Sequence, residues 1–493
     1  MKTRNKILAV ATGLCLMAGS LTSCDYLDIV PENSVPEESV DYAAIENMYE
    51  PVSGVYATIR TNNMHWIINL MSVIRDGDVW SGRIDDQGDL LNVNKYVYGS
   101  FWGYKEMWNQ YYGMIKVANA ALESLDAYAA NCKSEADLEL NRSYAGEVRI
   151  IRALAYYRLA QYFGAVTILH SNGQTDMRRS SRDAVLRYVI ADCEYAMTNC
   201  PRLRPNEMAH IGAFTAFTAE ALAAKAYLVL GDYAKVETLT SDIISSKKFE
   251  LYGNYYDMFK IPGKLCNESM MECQSTFFGM GSGDKADVDQ FFNCAGPTII
   301  SQATGTSIGG WSFVGYTDSF QQWVASRGET IRETTTFLRG GTVTPSGDEV
   351  LTAGNLENTS CWNGKWYVPV DQIIEGRNQY GGDNNVRIIR YAEVLLMNAE
   401  ALVRQGKNGD TPFNEVRKRA QMPEVSGVTI DNILDERRME LCCEWGTRYE
   451  DLLRTGLAQS VLGSAGWTAD KAYFPIPAEH LSDFPELRED PIE

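Results

Sequence analysis

The amino-acid sequence predicts a mainly α-helical protein, in which a tetratricopeptide-like helical scaffold is interrupted by an irregular, loop-rich inserted lobe. Three observations support this fold class. Apolar residues recur at helical spacing in four stretches, small residues and a tight Gly-Asp turn accompany them, and the periodicity disappears over roughly 246–385. A chain of 493 residues is also long enough to bury a large core.

The first periodic stretch is 146–164, GEVRIIRALAYYRLAQYFG. Its apolar residues follow one another at intervals of three and four, which places them on one face of a helix. The charged residues Arg149 and Arg152 flank this face, and we interpret them as solvated or ion-paired helix charges.

The second stretch, 216–245, predicts two helices that are separated at Gly231-Asp232. Its alanines allow a close approach between helices, as in tetratricopeptide hairpins, although the spacing is too irregular for a clean 34-residue array. The stretches 391–409 and 432–456 repeat the helical pattern near the C-terminus.

Gly, Ser, Thr and Asn dominate between the second and third stretches. A structureless loop of this length is improbable in a compact protein, so 246–385 is interpreted as an ordered lobe with short elements.

The chain begins with a secretory leader that ends near a cysteine. Three basic residues precede an apolar run at 7–17, which is too short to cross a membrane, and small residues follow it. Leu21-Thr22-Ser23-Cys24 then resembles a bacterial lipobox, whose cysteine carries the lipid. We therefore expect Cys24 to be a lipid anchor. The alternative is a plain signal peptide with a cysteine close to its cleavage site.

Charge and cysteine content exclude some functions. The formal net charge of −19 disfavours nucleic acid, which requires Lys and Arg to neutralise phosphates. The eleven cysteines are scattered and include Cys24, so they do not form a disulfide framework or a His-containing zinc pattern. Acidic stretches at 75–89 and 284–289 lack the spacing of an EF-hand, and no metal or cofactor is expected.

Several segments together resemble one known family, the SusD/RagB surface nutrient-binding lipoproteins of Bacteroidota. They follow the family's order nearly from end to end, at 23–33, 108–125, 146–169, 387–402, 413–423, 433–456 and 474–481. The resemblance implies residues 1–23 as a lipoprotein signal peptide and 24–245 as an N-terminal helical region. It also implies a ligand lobe over 246–385 and a C-terminal helical region over 386–493 that packs back on the scaffold.

The function implied by the resemblance is binding without catalysis. A lipoprotein at the outer membrane, exposed at the cell surface, would capture an oligosaccharide and deliver it to a SusC-like TonB-dependent barrel. The candidate ligand-binding residues carried over by position are Asp78, with Asp76 beside it, Arg83 and Trp102, and from the lobe Trp311, Tyr316 and Trp362. Trp66 and Trp80 lie in more apolar surroundings and are expected in the core.

Two alternatives remain open. Some relatives bind peptides, and a ligand face poor in aromatic rings would favour that function. A surface hydrolase is the other: 305–309 matches the G-x-S-x-G pattern, which needs a strand before it, a helix after it and a downstream histidine. Gly310-Trp311 does not favour the start of a helix, and the only later histidine is His480. We therefore interpret the motif match as coincidental.

Overall fold

The computed structural model describes residues 40–60, 66–81, 87–275, 296, 300–301, 307–308, 310–351, 361–372 and 383–493. Cys24 and Arg83 therefore lie outside the described residues.

Helices dominate the described chain. In chain order they are α1 (Glu50–Thr58), α2 (Trp66–Val73), α3 (Gly88–Asn94), α4 (Trp102–Ala129), α5 (Glu135–Phe163), α6 (Arg182–Asn199), α7 (Ala216–Leu230), α8 (Tyr233–Ser245), α9 (Tyr255–Met258), α10 (Asp318–Ser326), α11 (Ile331–Thr336), α12 (Tyr391–Arg404), α13 (Asp410–Arg419), α14 (Ile430–Glu440), α15 (Thr447–Arg454), α16 (Ala458–Leu462) and α17 (Ala478–Asp483).

The strands are short. They are β1 (Val79–Ser81), β2 (Ser269–Cys273), β3 (Ile300–Ser301), β4 (Ser307–Ile308), β5 (Val314–Tyr316), β6 (Phe337–Arg339), β7 (Glu349–Val350), β8 (Cys361–Asn363) and β9 (Val386–Arg390). They form a four-stranded sheet in the order β1-β5-β8-β6, a three-stranded sheet in the order β4-β3-β7, and the antiparallel pair β2-β9. Single turns of 3₁₀ helix occur at Ile45–Asn47, Pro205–Glu207, Ile261–Gly263, Val370–Gln372, Gly463–Ala465, Ala469–Lys471 and Pro485–Arg488.

The scaffold is a stack of helices in which neighbours in sequence pack on each other. Helix α4 packs on α5, α5 on α6, α6 on α7 and α7 on α8. The close approach of α5 and α6 depends on Gly146, because a Cβ at this position would lie 2.4 Å from Cys200 Sγ. The mainly helical, tetratricopeptide-like fold class is confirmed.

The predicted break at Gly231-Asp232 is present. Gly231 adopts the left-handed conformation with φ +76°, and the Asp232 side chain caps α8 by accepting a hydrogen bond from Lys235 N at 3.1 Å. The prediction for 432–456 was incomplete. Two helices, α14 and α15, lie there, and the chain between them turns through Cys443, Trp445 and Gly446, which all have positive φ.

The lobe and the C-terminal region are built into the scaffold. Helix α12 packs on α8, and β9 pairs with β2, so the chain returns to the helical stack after the lobe. One hydrophobic cluster includes residues of every region, among them Val52, Leu159, Phe320 and Leu395. Among the described residues, no helix is long and apolar enough to cross a membrane. Free thiols are present at Cys132, Cys193, Cys200, Cys266, Cys442 and Cys443.

Candidate functional site

Three tryptophans from distant parts of the chain meet at one surface, which we call the tryptophan surface. The Trp66 ring lies 5.6 Å from the Trp102 ring and 5.6 Å from the Trp311 ring, edge to face in both cases. Trp102 is 45% exposed, whereas Trp66 and Trp311 are half-buried. The structure thus brings the predicted residues Trp102 and Trp311 together, with Trp66 between them.

The first two tryptophans begin helices. Trp66 is the first residue of α2, and Trp102 is the first residue of α4, directly after the extended N-cap residue Phe101. The Phe101 ring folds over Gly103, where a Cβ would lie 2.6 Å from the ring. A side chain larger than that of glycine would push this ring away, so Gly103 helps to direct Trp102 outward.

Trp311 is positioned by the backbone on either side of it. A Cβ on Gly310 would lie 2.5 Å from the Gly296 carbonyl oxygen, so the two chains approach closely there. Ser312, with φ +58°, donates from its backbone N–H to that same carbonyl at 2.9 Å. Strand β5 follows directly and pairs with β1, which joins the lobe to the N-terminal region.

Trp66 was predicted to be a core residue, and it is half-buried, packing against the hydrophobic core on one side and contacting Trp102 and Trp311 on the other. The apolar run that follows Trp66, which includes Ile67, Ile68 and Leu70, is fully buried. In the sequence, Trp66 therefore could not be distinguished from these core residues. The start of a helix is where a side chain can leave the buried face of the next turn. No local sequence signal separates Trp66 from this run.

Asp78 is a buried structural carboxylate, which corrects its prediction as a ligand contact. It is 4% exposed, and Arg438 Nε donates to its two oxygens at 2.9 and 3.1 Å. Its carbonyl also accepts from Thr317 N at 2.9 Å. Asp76 is buried beside it, and burial followed by the charge of Asp78 raises the pKa of Asp76 to about 8.

Tyr316 and Trp362 are also corrected, because both lie in the core. Tyr316 is 0% exposed and Trp362 is 1% exposed. Tyr316 ends β5 and Trp362 is central in β8, which are inner strands of the four-stranded sheet. Neither ring offers a face to a ligand in solvent.

The alternatives to binding receive little support from the described residues. Ser307 lies in strand β4 itself, not at a strand-to-helix turn, and the next described helix is α10. His480 Nε2 is hydrogen-bonded to Asn109 Oδ1 at 2.8 Å, on the helical side of the molecule. Within the described ranges, no cluster of His, Cys, Asp or Glu could hold a metal ion.

The charge-rich run in α14 is part of the framework. Glu436 and Glu440 are fully buried, and Arg332 Nη1 from the lobe lies 3.2 Å from Glu440 Oε2. Burial opposes ionisation of Glu440, yet the guanidinium groups of Arg419, Arg390 and Arg332 lower its pKa to about 2. Arg152, on α5, is likewise buried and paired with Asp192 through bonds of 2.8 and 2.9 Å.

The fold and the tryptophan surface define a mainly helical protein with an exposed aromatic face. A model of the SusD family (SusD_RagB) matches residues 316–481, and a SusD-like model described as "Starch-binding associating with outer membrane" matches residues 25–228. The chain belongs to the SusD family.

Known proteins resemble the chain over most of its length. A SusD-like protein of Bacteroides ovatus is 26% identical over 91% of this chain and 82% of its own. A laminarin-binding SusD-like protein has the same fold, with a TM-score of 0.77 and 23% identity over 88% of this chain and 97% of that one. Surface glycan-binding protein A of Bacteroides thetaiotaomicron, solved with laminarihexaose, gives 0.74 at 22% identity over 89% and 97%.

Proposed function

We propose that this protein binds an oligosaccharide at the tryptophan surface and delivers it to a SusC-like TonB-dependent barrel of the outer membrane. The observation that carries the proposal is the convergence of Trp66, Trp102 and Trp311 from α2, α4 and the lobe. The exposed Trp102 ring is a large apolar plane that the fold leaves in solvent.

The chemistry of this surface suits a sugar. Sugar rings have apolar C–H faces that lie flat on aromatic planes, and each aromatic contact adds about 0.5–1.5 kcal/mol beyond the burial of area. Two or three such contacts correspond to micromolar to millimolar affinity, roughly −8 to −4 kcal/mol. Weak binding is appropriate for a protein that releases its ligand to a partner.

The comparisons support a glycan as ligand and binding as the activity. Relatives of the same fold are named for binding laminarin and for a complex with laminarihexaose. Among the described residues, Asp78, the acid predicted for the ligand face, is buried and paired with Arg438. We therefore propose capture without cleavage of the glycan.

Delivery and anchoring complete the proposal. A lipid at Cys24 would hold the binding surface at the outer membrane, where it raises the local concentration of the protein around the barrel. A modest and reversible contact between the two proteins is then sufficient. The family model described as associating with the outer membrane supports this location.

The binding proposal is tested by calorimetry on soluble protein that starts after Cys24. Laminarin, xyloglucan and starch oligosaccharides are titrated into the wild type and into Trp102→Ala and Trp311→Ala. We expect one glycan to bind and each substitution to weaken it by about tenfold or more. Phe484→Ala is the control, because Phe484 is also an aromatic residue, 36% exposed, outside the tryptophan surface.

The outcomes separate the competing functions. A glycan recovered uncut, with unchanged binding in Phe484→Ala, supports capture at the tryptophan surface. Binding of a peptide mixture but of no glycan would overturn the sugar ligand. Glycan cleavage by the wild type would overturn the binding-only activity.

The anchor is tested in cells. Metabolic labelling with palmitate should mark the wild type and fail to mark Cys24→Ala, and external protease should digest the wild type on intact cells. Labelling that persists in Cys24→Ala would contradict lipidation at this cysteine.

A further inference from the structure

A cleft with a volume of about 290 Å³ lies between α1, the segment before α7 and the end of β2. Tyr49, Ser53, His210, Ile211, Glu272 and Gln274 are among its lining residues. It shares no lining residue with the tryptophan surface. Its volume is close to the lower end of the range for small-molecule pockets, roughly 300 Å³.

One wall of the cleft holds a fixed pair of polar side chains. Glu272 lies in β2, and Gln274 follows directly after the last residue of that strand. Asn385 Nδ2 donates to both of them, to Glu272 Oε2 at 2.8 Å and to Gln274 Oε1 at 2.7 Å. This shared donor holds the carboxylate and the amide next to each other.

The hydrogen bonds also determine which atoms of the pair remain available. Asn385 Oδ1 accepts from Ser275 N at 2.9 Å, so its NH₂ group must face the pair. Gln274 therefore turns its oxygen toward Asn385 and its own NH₂ group away. Glu272 Oε1 and Gln274 Nε2 are both buried without a hydrogen-bond partner, and the cation nearest to Glu272 Oε1 is Arg387 Nε at 3.5 Å.

The unpartnered donor Gln274 Nε2, next to a carboxylate oxygen that accepts no hydrogen bond, indicates a ligand group that both accepts and donates. Buried polar groups normally have a hydrogen-bond partner, and leaving such a group without a partner is unfavourable. A hydroxyl group or a pair of neighbouring hydroxyls can donate to Glu272 Oε1 and accept from Gln274 Nε2. The charge of Glu272 is offset by Arg387, with which it is paired.

Aromatic rings also line the cleft. The Tyr49 ring stacks on the His210 ring with centroids 3.5 Å apart and planes 3° from parallel. Ile211, which is 70% exposed, continues this apolar rim. Tyr56 contributes its ring only, since its hydroxyl already donates to Glu147 Oε2 at 2.8 Å and accepts from Phe214 N at 2.7 Å.

We propose that this cleft is a second binding site, for a neutral hydroxylated ring that is either a free monosaccharide or one sugar unit of a longer chain. The ring lies against Tyr49 and His210, and its hydroxyls bond to Glu272 and Gln274. The proposal depends on the atoms of the cleft and does not require ligand binding at the tryptophan surface.

The test uses the soluble protein in a background that removes the tryptophan surface, Trp102→Ala together with Trp311→Ala. Saturation-transfer NMR is recorded with glucose, galactose, mannose and N-acetylglucosamine, and separately with their oligosaccharides. We expect saturation transfer in this background and a loss of affinity of about tenfold in Gln274→Met, which keeps the shape but removes the donor. Tyr49→Ala should have a similar effect.

The two sets of ligands distinguish a free sugar from one unit of a longer chain. The two sets of substitutions distinguish the cleft from the tryptophan surface. A monosaccharide response indicates a free sugar, and a response limited to oligosaccharides indicates a unit of a chain. Silence of every sugar in the double-tryptophan background, or binding unchanged by both cleft substitutions, overturns the second site and leaves the tryptophan surface untouched. If Gln274→Met does not fold, deoxy sugars are tested instead on protein whose cleft is unsubstituted. Equal affinity for every deoxy form would then overturn the proposal.

Discussion

Glu147 is a carboxyl group that the core of the scaffold holds in its protonated form. It is 1% exposed, and burial raises its pKa to about 8, although the hydrogen bond from Tyr56 opposes that rise. Below its unfolded pKa, near 4.5, the group is neutral in both states. As the pH rises toward 8, the unfolded chain releases the proton while the folded chain retains it, so the folded state loses stability.

Glu147→Gln should remove this pH dependence while keeping an oxygen that accepts from Tyr56. We compare the free energy of unfolding of the variant with that of the wild type. This difference should favour the variant by about 2–3 kcal/mol more at pH 8 than at pH 5. Urea denaturation at both pH values measures the difference. Glu139→Gln, at an exposed position of the same helix, is the control. Equal effects of the two substitutions would contradict the argument.

At the scale of single residues, exposure separates the predicted ligand-face residues that reach the surface from those that lie in the core. Aromatic residues in the lobe were recognisable from sequence, but not the side of the sheet on which each one lies. Tyr316 and Trp362 pack within a sheet whose strands are only three residues long, too short to show an alternation of apolar and polar residues. Trp311 precedes that sheet and stays at the surface, and its neighbours Gly310 and Ser312 are the residues that contact Gly296.

At the scale of the elements, the contact of α5 with α6 predicts opposite effects for two glycine substitutions. Gly146 faces Cys200 Sγ and Ala196 across the helix contact, so Gly146→Ala forces the helices apart and should destabilise the protein by about 1–3 kcal/mol. Gly54 is exposed in α1 with nothing within 4 Å of its added Cβ. Gly54→Ala should stabilise by about 0.4–1 kcal/mol.

Chemical denaturation of the two glycine variants measures both effects. A destabilising Gly54→Ala, or a neutral Gly146→Ala, would contradict the packing argument. The helix break at Gly231-Asp232 was readable from sequence because periodicity and capping are local, whereas the start of α5 at Glu135, eleven residues before the predicted stretch 146–164, was not. The interruption at 441–446 was not readable, since residues such as Cys443 and Trp445 rarely adopt positive φ.

The buried ion pairs of α14 predict loss of stability in acid. The folded pKa of Glu440 is lowered to about 2, so its contribution is present above the unfolded value of 4.5 and is lost as the pH falls toward 2. Glu440→Gln leaves Arg390 and Arg419 without a charged partner at this position and should cost about 3–5 kcal/mol at pH 7. It should also reduce the acid dependence.

Denaturation at pH 7, 5 and 3 provides the measurement for the α14 network. Glu424→Gln, an exposed position in the segment before α14, is the control and should change little. An acid dependence that is the same in Glu440→Gln as in the wild type would assign the effect to other carboxylates.

At the scale of the whole molecule, contacts of long sequence separation lock the C-terminal region to the rest. Arg438 pairs with Asp78, and Phe474 N donates to the Tyr162 carbonyl at 2.8 Å. Ile492 exchanges backbone hydrogen bonds with the segment before α6, donating to Arg179 O at 2.9 Å and accepting from Ser181 N at 2.7 Å. Such pairs are invisible in the sequence, where only the family resemblance implied that the chain returns to the scaffold.

These contacts predict that the regions 24–245, 246–385 and 386–493 do not unfold independently. The β2-β9 pair and the packing of α8 on α12 bury surfaces that a separated region would expose. Scanning calorimetry should therefore show one transition, with a van't Hoff enthalpy close to the calorimetric enthalpy. A chain that ends at residue 385 should fail to fold, because it loses α12 from the face of α8 and the buried partners Glu436 and Glu440 of Arg332. Two resolved transitions, or a stable truncated chain, would instead mean that the lobe and the scaffold are separate folding units, and the tryptophan surface between them would then depend on how those units dock.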